Sequence, residues 1–179
     1  MPHLDAAYNL ARWLTRNDHD AQDVVQDAFV RALRHFRGFH GDRARPWLLQ
    51  IVRHTTWSWL QVNRPAELVS AEDADAAWQG ARAPAAGEPL AAALRNADRV
   101  RIGEAIAALP AIYREVLVLR EFEDLAYKDI ARIAGIPIGT VMSRLARARA
   151  LLLADLGPRA GDRPALREVP RPAQGSAKT

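Results

Sequence analysis

The stretch ARIAGIPIGTVMSRLARARALL, Ala131 to Leu152, decides how the chain folds. Ala131, Gly135 and Val141 stand four and six residues apart, with a short helical run before the glycine and a longer one after Pro137. In a helix-turn-helix each has a physical task. Ala131 is small where two helices cross, Gly135 takes the positive φ that ends the first helix, and Val141 plugs the angle between them. Pro137 cannot continue the first helix and is tolerated at the start of the second. With Val141 at the origin of a helical wheel, Leu145, Ala148 and Leu152 fall within about 40° of it and form the inner face. Thr140, Ser143, Arg144 and Arg147 project from the other side, with Met142 and Arg149 on a flank. Two short hydroxyls and two arginines suit base edges and phosphates in a DNA major groove. The plainer alternative is a solvated basic helix. Ala126 stands where a capping Ser or Thr is expected, a cost of about 1 kcal/mol unless Asp124 substitutes.

Outward from this motif, apolar spacing at i, i+3 and i+4 recurs in both outer thirds and strand signals are nearly absent. The fold class is therefore all-α: two small helical domains joined by a flexible linker, the C-terminal one a helix-turn-helix. The segment VNRPAELVSAEDADAAWQGARAPAAGEPLAAALRN lacks sustained periodicity and reads as linker. The tail GPRAGDRPALREVPRPAQGSAKT, with four prolines and three glycines, reads as disordered.

In the first third, a helix from about Asp5 to Thr15 precedes one capped by Asn17 or Asp18, whose early acids suit the helix dipole. Ala21, Val25, Ala28, Phe29, Ala32 and Phe36 form its core stripe. Opposite lie Asp23, Gln26, Asp27, Val30 and Arg34. Val30 beside two carboxylates is either a stray surface valine or part of a docking face for a basic partner. Pro46 suits the start of the next helix, on which Trp47, Ile51, Thr55 and Ser58 share a face with Leu48 and Trp59 flanking. Gln50, Arg53, His54, Trp57 and Gln61 gather on the other side. Trp57 there either stacks on an unpaired base or packs under another helix. Pro110 starts a helix whose Val116, Leu117 and Leu119 point inward.

The 179 residues are 49% apolar, enough for a core, and contain no cysteine, which removes disulfides, thiol catalysis and thiolate metal sites. No membrane span or secretory signal is read, so a cytoplasmic location is expected. The net charge is +4, yet residues 1–60 carry eight basic against six acidic side chains and residues 101–156 eight against seven. Nucleic-acid contact must then come from local faces rather than a general positive field. His3, His19, His35, His40 and His54 show no metal-ligand spacing, and no Gly-rich lysine loop for nucleotides occurs. Neither a metal, a cofactor nor an enzymatic activity is expected.

Two regions together resemble one family. DAQDVVQDAFVRALRHF followed by WLLQIVRHTTWSWL is similar to the second conserved region of bacterial extracytoplasmic-function sigma factors. ALPAIYREVLVLREFEDLAYKDIARIAGIPIGTVMSRLARARALL resembles their fourth region. The likeness covers roughly residues 5–61 and 99–156. It implies domains at 1–62 (region 2), 63–98 (linker), 99–157 (region 4) and 158–179 (tail). It implies core RNA polymerase and promoter DNA as partners, the protein being monomeric when bound to polymerase, with no membrane insertion and with an anti-sigma factor as inhibitor. Carried over, Asp23, Gln26, Asp27 and Val30 would contact polymerase. His40, Arg43, Arg45, Arg53, His54 and Trp57 would meet the −10 element and its flipped base, and Thr140, Ser143, Arg144 and Arg147 would read the −35 element. Three positions depart from the family: His54 replaces a usual Asn, Ser58 a usual Asp and Met142 a common Lys, the last removing a phosphate contact and nearly one unit of salt slope. A self-sufficient helix-turn-helix regulator, dimerising through residues 1–61, is the competing class; it would bind palindromes without polymerase.

Overall fold

A computed structural model describes residues 3–39, 43–68 and 99–156. His40, the greater part of the expected linker and the expected tail lie outside the described residues. The described chain contains α1 (Leu4–Thr15), α2 (Asp18–His35), a 3-10 turn (Phe36–Gly38), α3 (Ala44–Asn63), a second 3-10 turn (Pro65–Glu67), α4 (Arg99–Ala108), α5 (Ala111–Glu121), α6 (Tyr127–Ala134) and α7 (Ile138–Leu156). No strand occurs among the described residues, in line with the all-α reading.

α1 presents Ala7, Leu10, Ala11 and Leu14 at helical spacing, each fully buried. It ends where Arg16 turns left-handed, at φ 55°, and donates its N–H to the carbonyl of Arg12. Asn17 then caps α2, its Oδ1 accepting from the backbone N–H of His19 at 2.9 Å and of Asp20 at 3.1 Å. The Arg12 guanidinium, and after it the Tyr8 hydroxyl, hold the neighbouring Asp18 carboxyl below the usual carboxylate range. α2 buries Ala21, Val24, Val25, Ala28 and Ala32. Phe36 does not extend that stripe: the helix ends at His35, and Phe36 is 62% exposed, beside Phe39 and Trp47.

α3 buries Leu48, Leu49, Val52, Thr55, Thr56 and Leu60. That arc is rotated from the expected Trp47–Ile51–Thr55–Ser58 face, whose members other than Thr55 are half-buried. The helix is covered on two sides, by α1 and α2 on one and by α6 on the other. It begins at Ala44, two residues before Pro46, still within the first turn, where a missing N–H costs nothing.

α5 is buried along its whole length from Ala111 to Leu119. A helix apolar on one stripe would leave an outer face in water; this one has none, because it packs on α1 as well as on α6 and α7. Leu10, Leu14 and Leu49 of the first unit therefore share one cluster with Val116, Leu119, Ile130, Val141 and Leu145 of the second. Trp13 and Phe122 close its edge, ring centres 5.2 Å apart. A second cluster joins α4, α5 and the end of α7, with Trp57 against it.

Candidate nucleic-acid interface and docking face

The helix-turn-helix is α6 and α7. Gly135 adopts φ 68° and ψ 34°, and the N–H of Ile136 reaches back to the Ala131 carbonyl at 3.1 Å, closing α6. Ala131 is half-buried against the main cluster, and Val141 is fully buried. Leu145, Ala148 and Leu152 continue inward along α7. On its outer side Ser143 is exposed, with its hydroxyl donating to the Thr140 carbonyl at 3.0 Å. Thr140, Arg144 and Arg147 are partly exposed. Met142 is exposed beside them, and Arg149 is tied back to Glu121 at 2.7 Å. The result is a strip of hydroxyls and guanidinium groups on a rigid, packed helix, the arrangement that groove contact requires.

Ala126 occupies the cap position of α6 without any side-chain acceptor, and Asp124 instead pairs with Arg120 at 3.7 Å. Ala126→Ser should therefore raise the unfolding free energy by about 1 kcal/mol, read from the urea midpoint. An unshifted midpoint would mean that α6 does not gain from an N-cap.

In the first unit, Asp23, Gln26, Asp27 and Val30 are all exposed along α2. Asp27 accepts from Arg31 at 2.9 Å, and the Asp23 carboxylate lies 3.3 Å from the His19 ring. Val30 does not stand alone: Leu4 and Leu33 are exposed beside it, and Val25, Phe29 and Tyr8 line the same depression of about 530 Å3. Leu33, one turn after Val30 and seven residues after Gln26, extends the face beyond the four residues expected from the sequence.

The candidate −10 residues divide. His54 is exposed at an open depression of about 620 Å3 lined also by Arg31, His35, Trp47 and Gln50. Arg43, Arg45, Arg53 and Trp57 instead face the second unit. Arg43 pairs with Asp129 and Arg45 with Glu123. Arg53 Nε donates to Glu115 Oε1 at 2.6 Å, and the Trp57 indole N–H reaches the same oxygen at 3.0 Å. The Arg53 guanidinium also lies 5.0 Å from the Trp57 ring centre. Asn9 adds a bond to Glu123 at 2.7 Å. The three acids are buried, Glu115 completely. Of the three, only Glu115 carries a signal in the sequence, since it falls within the run of core residues from Ala111 to Leu119.

No helix among the described residues is long and apolar enough to cross a membrane. Residues 1–64 match the family model "Sigma-70 region 2", and residues 99–152 match "Sigma-70, region 4". The RNA polymerase sigma-H factor of Pseudomonas aeruginosa is 42% identical over 135 residues, spanning 73% of this chain and 69% of that protein. The ECF RNA polymerase sigma-E factor of Haemophilus influenzae is 36% identical over 147 residues, spanning 80% and 77%. That of Escherichia coli K12 is 37% identical over 134 residues, spanning 73% and 70%. Among solved structures, the sigma factor RpoE of Bartonella quintana, in complex with the anti-sigma factor NepR, superimposes with a TM-score of 0.64 at 28% identity, covering 86% of this chain and 91% of that one.

Proposed function

Since the chain belongs to the extracytoplasmic-function family of bacterial sigma factors, which act with RNA polymerase in promoter-specific initiation of transcription, we propose that it recognises a promoter at two separate elements and assists its melting. Residues 1–62 form the unit that grips core polymerase and the −10 element, residues 99–157 the unit that reads the −35 element, and residues 63–98 connect them. Asp23, Gln26, Asp27 and Val30 dock on polymerase. Arg43, Arg45, Arg53, His54 and Trp57, with His40, hold the −10 strand, where a flipped base needs a shaped pocket to offset its unstacking. An anti-sigma factor, the kind of partner seated on the Bartonella protein, controls release.

The observation that carries this reading is the outer strip of α7, Thr140, Ser143, Arg144 and Arg147, raised on a helix whose opposite side is fully packed. Arg144 forks toward guanine edges or phosphates, and the hydroxyls adapt to either. Each unit alone has few contacts; polymerase fixes both at the spacing of the promoter elements, so affinity comes from effective concentration.

Transcription in vitro with core polymerase on a genomic library tests the reading directly. Stimulated transcripts sharing two dissimilar upstream elements are expected, and the absence of any would overturn it. On a promoter so identified, Arg144→Ala should lower −35 selectivity by about 1–3 kcal/mol. Unchanged selectivity would remove Arg144 from the reading set.

A further inference from the structure

We infer that the leading turns of α7 carry an apolar ridge, Ile138, Met142 and Ala146, that reads the 5-methyl groups of thymine in the −35 element, with Met142 its principal specificity-determining residue. This rests on the reading of α7 as the −35 helix given above. It adds a base class that the polar strip of Thr140, Ser143, Arg144 and Arg147 does not address.

The three side chains stand four residues apart, so successive members lie about 40° round the helix and about 6 Å along it. Ile138 is 47% exposed, Met142 is 54% exposed and Ala146 is half-buried. The row runs beside the polar strip, at the end of the helix that in this motif contacts base edges. The fold has no use for it, because the inner face of α7 is already made by Val141, Leu145, Ala148 and Leu152. One exposed apolar side chain is ordinary on a protein surface. Two on adjacent turns of a groove-facing helix call for an apolar partner.

The surroundings of the row are short of polar reach. Arg149, the cation on the same flank, is held by Glu121 at 2.7 Å. Ser143, next to Met142, donates its hydroxyl to the Thr140 carbonyl, so its hydrogen is directed at its own helix. Gly139 has open space where a Cβ would stand, and its φ is not positive. Glycine weakens a helix, and here neither backbone angle nor packing calls for it; what it allows is a close approach of the backbone to a surface in front of it.

Every base pair presents donors and acceptors in the major groove, but the thymine methyl is the one apolar group there. An apolar ridge facing those edges gains contact over thymine and only displaces water elsewhere. A lysine in place of Met142 would grip a phosphate, which is alike at every base pair. The unbranched, polarisable methionine chain can instead settle on a small methyl target.

The test uses holoenzyme, formed from this chain and core polymerase, on a promoter recovered by transcription in vitro. Each thymine of the −35 element, on either strand, is replaced in turn by deoxyuridine, which deletes the methyl and keeps every hydrogen-bonding group. At one or two positions the parent should bind about fourfold more weakly, the effect of returning one methyl-sized group to water. Met142→Ala should show no further loss from deoxyuridine at such a position, since the pair is already broken. Cytosine placed there should weaken binding by the parent, and 5-methylcytosine should recover about fourfold of it. Met142→Lys should lose the deoxyuridine response and steepen the salt dependence by about one unit. A −35 element of G·C pairs alone overturns the inference, as does a parent indifferent to deoxyuridine at every position. So does a deoxyuridine loss that persists in full in both Met142→Ala and Ile138→Ala. Arg144→Ala on the same promoter separates the two readings. Lowered −35 selectivity without a deoxyuridine response removes the methyl contact alone, and unaltered selectivity in both Arg144→Ala and Met142→Ala removes α7 from −35 recognition.

Discussion

Leu145→Ala should lower the unfolding free energy by about 2–5 kcal/mol, a large share of what a small domain possesses. Leu145 is 1% exposed and joins α7 to α5 and α6 through Val116, Leu119, Ile130 and Val141. Truncation removes the transfer free energy of the lost methyl groups and leaves a cavity that helices held on both sides cannot collapse into. The loss reaches function by geometry: Arg144 and Arg147 are carried by the same turns of α7, so a loosened helix no longer presents them as a unit. Urea unfolding followed by circular dichroism gives the energy, and Met142→Ala, at a position 54% exposed, is the comparison. Met142→Ala should stay within about 0.5 kcal/mol of the parent. Equal losses for the two substitutions would mean that the buried side of α7 has been misidentified.

Asp27→Arg should weaken capture of core polymerase by roughly 2–5 kcal/mol, with slower association and a flatter dependence on salt. Asp27 lies half-exposed in the middle of the acidic face of α2, next to the apolar edge formed by Val30 and Leu33. Reversal removes an attraction to a basic partner and creates a repulsion where water is displaced. Within the helix it also sets two arginines four residues apart, at positions 27 and 31, which costs a few tenths of a kcal/mol and leaves the fold intact. Asp27→Asn, which removes the attraction without the repulsion, should fall between parent and reversal. Pull-down of core enzyme at equal concentrations measures all three; identical recovery of the reversal variant would dissociate α2 from docking.

Much of the helical layout was legible locally. Asn17 or Asp18 marked the start of α2, and it is the Asn17 side chain that serves the N–H groups two and three residues on. Gly135 marked the end of α6 because the chain there needs a positive φ. The inner face of α7 followed from its 3.6-residue period. Where local reading failed, the environment had two sides. Phe36 fits the apolar stripe of α2 by spacing but lies past the helix end, among Phe39 and Trp47. The buried arc of α3 is rotated from the expected face because the helix is covered by α1 and α2 on one side and by α6 on the other, and a single periodic face describes neither.

Residue order alone determined the helices, their caps, the helix-turn-helix and its outward strip of Thr140, Ser143, Arg144 and Arg147, since all of these depend on neighbours within about one or two turns. Only the tertiary structure decided that the two units share a core, and that Glu115, Glu123 and Asp129 lie buried against Arg53, Arg45 and Arg43. A carboxylate leaves water only if a cation meets it, and these cations come from 62 to 86 positions away, a distance along the chain that no local period encodes.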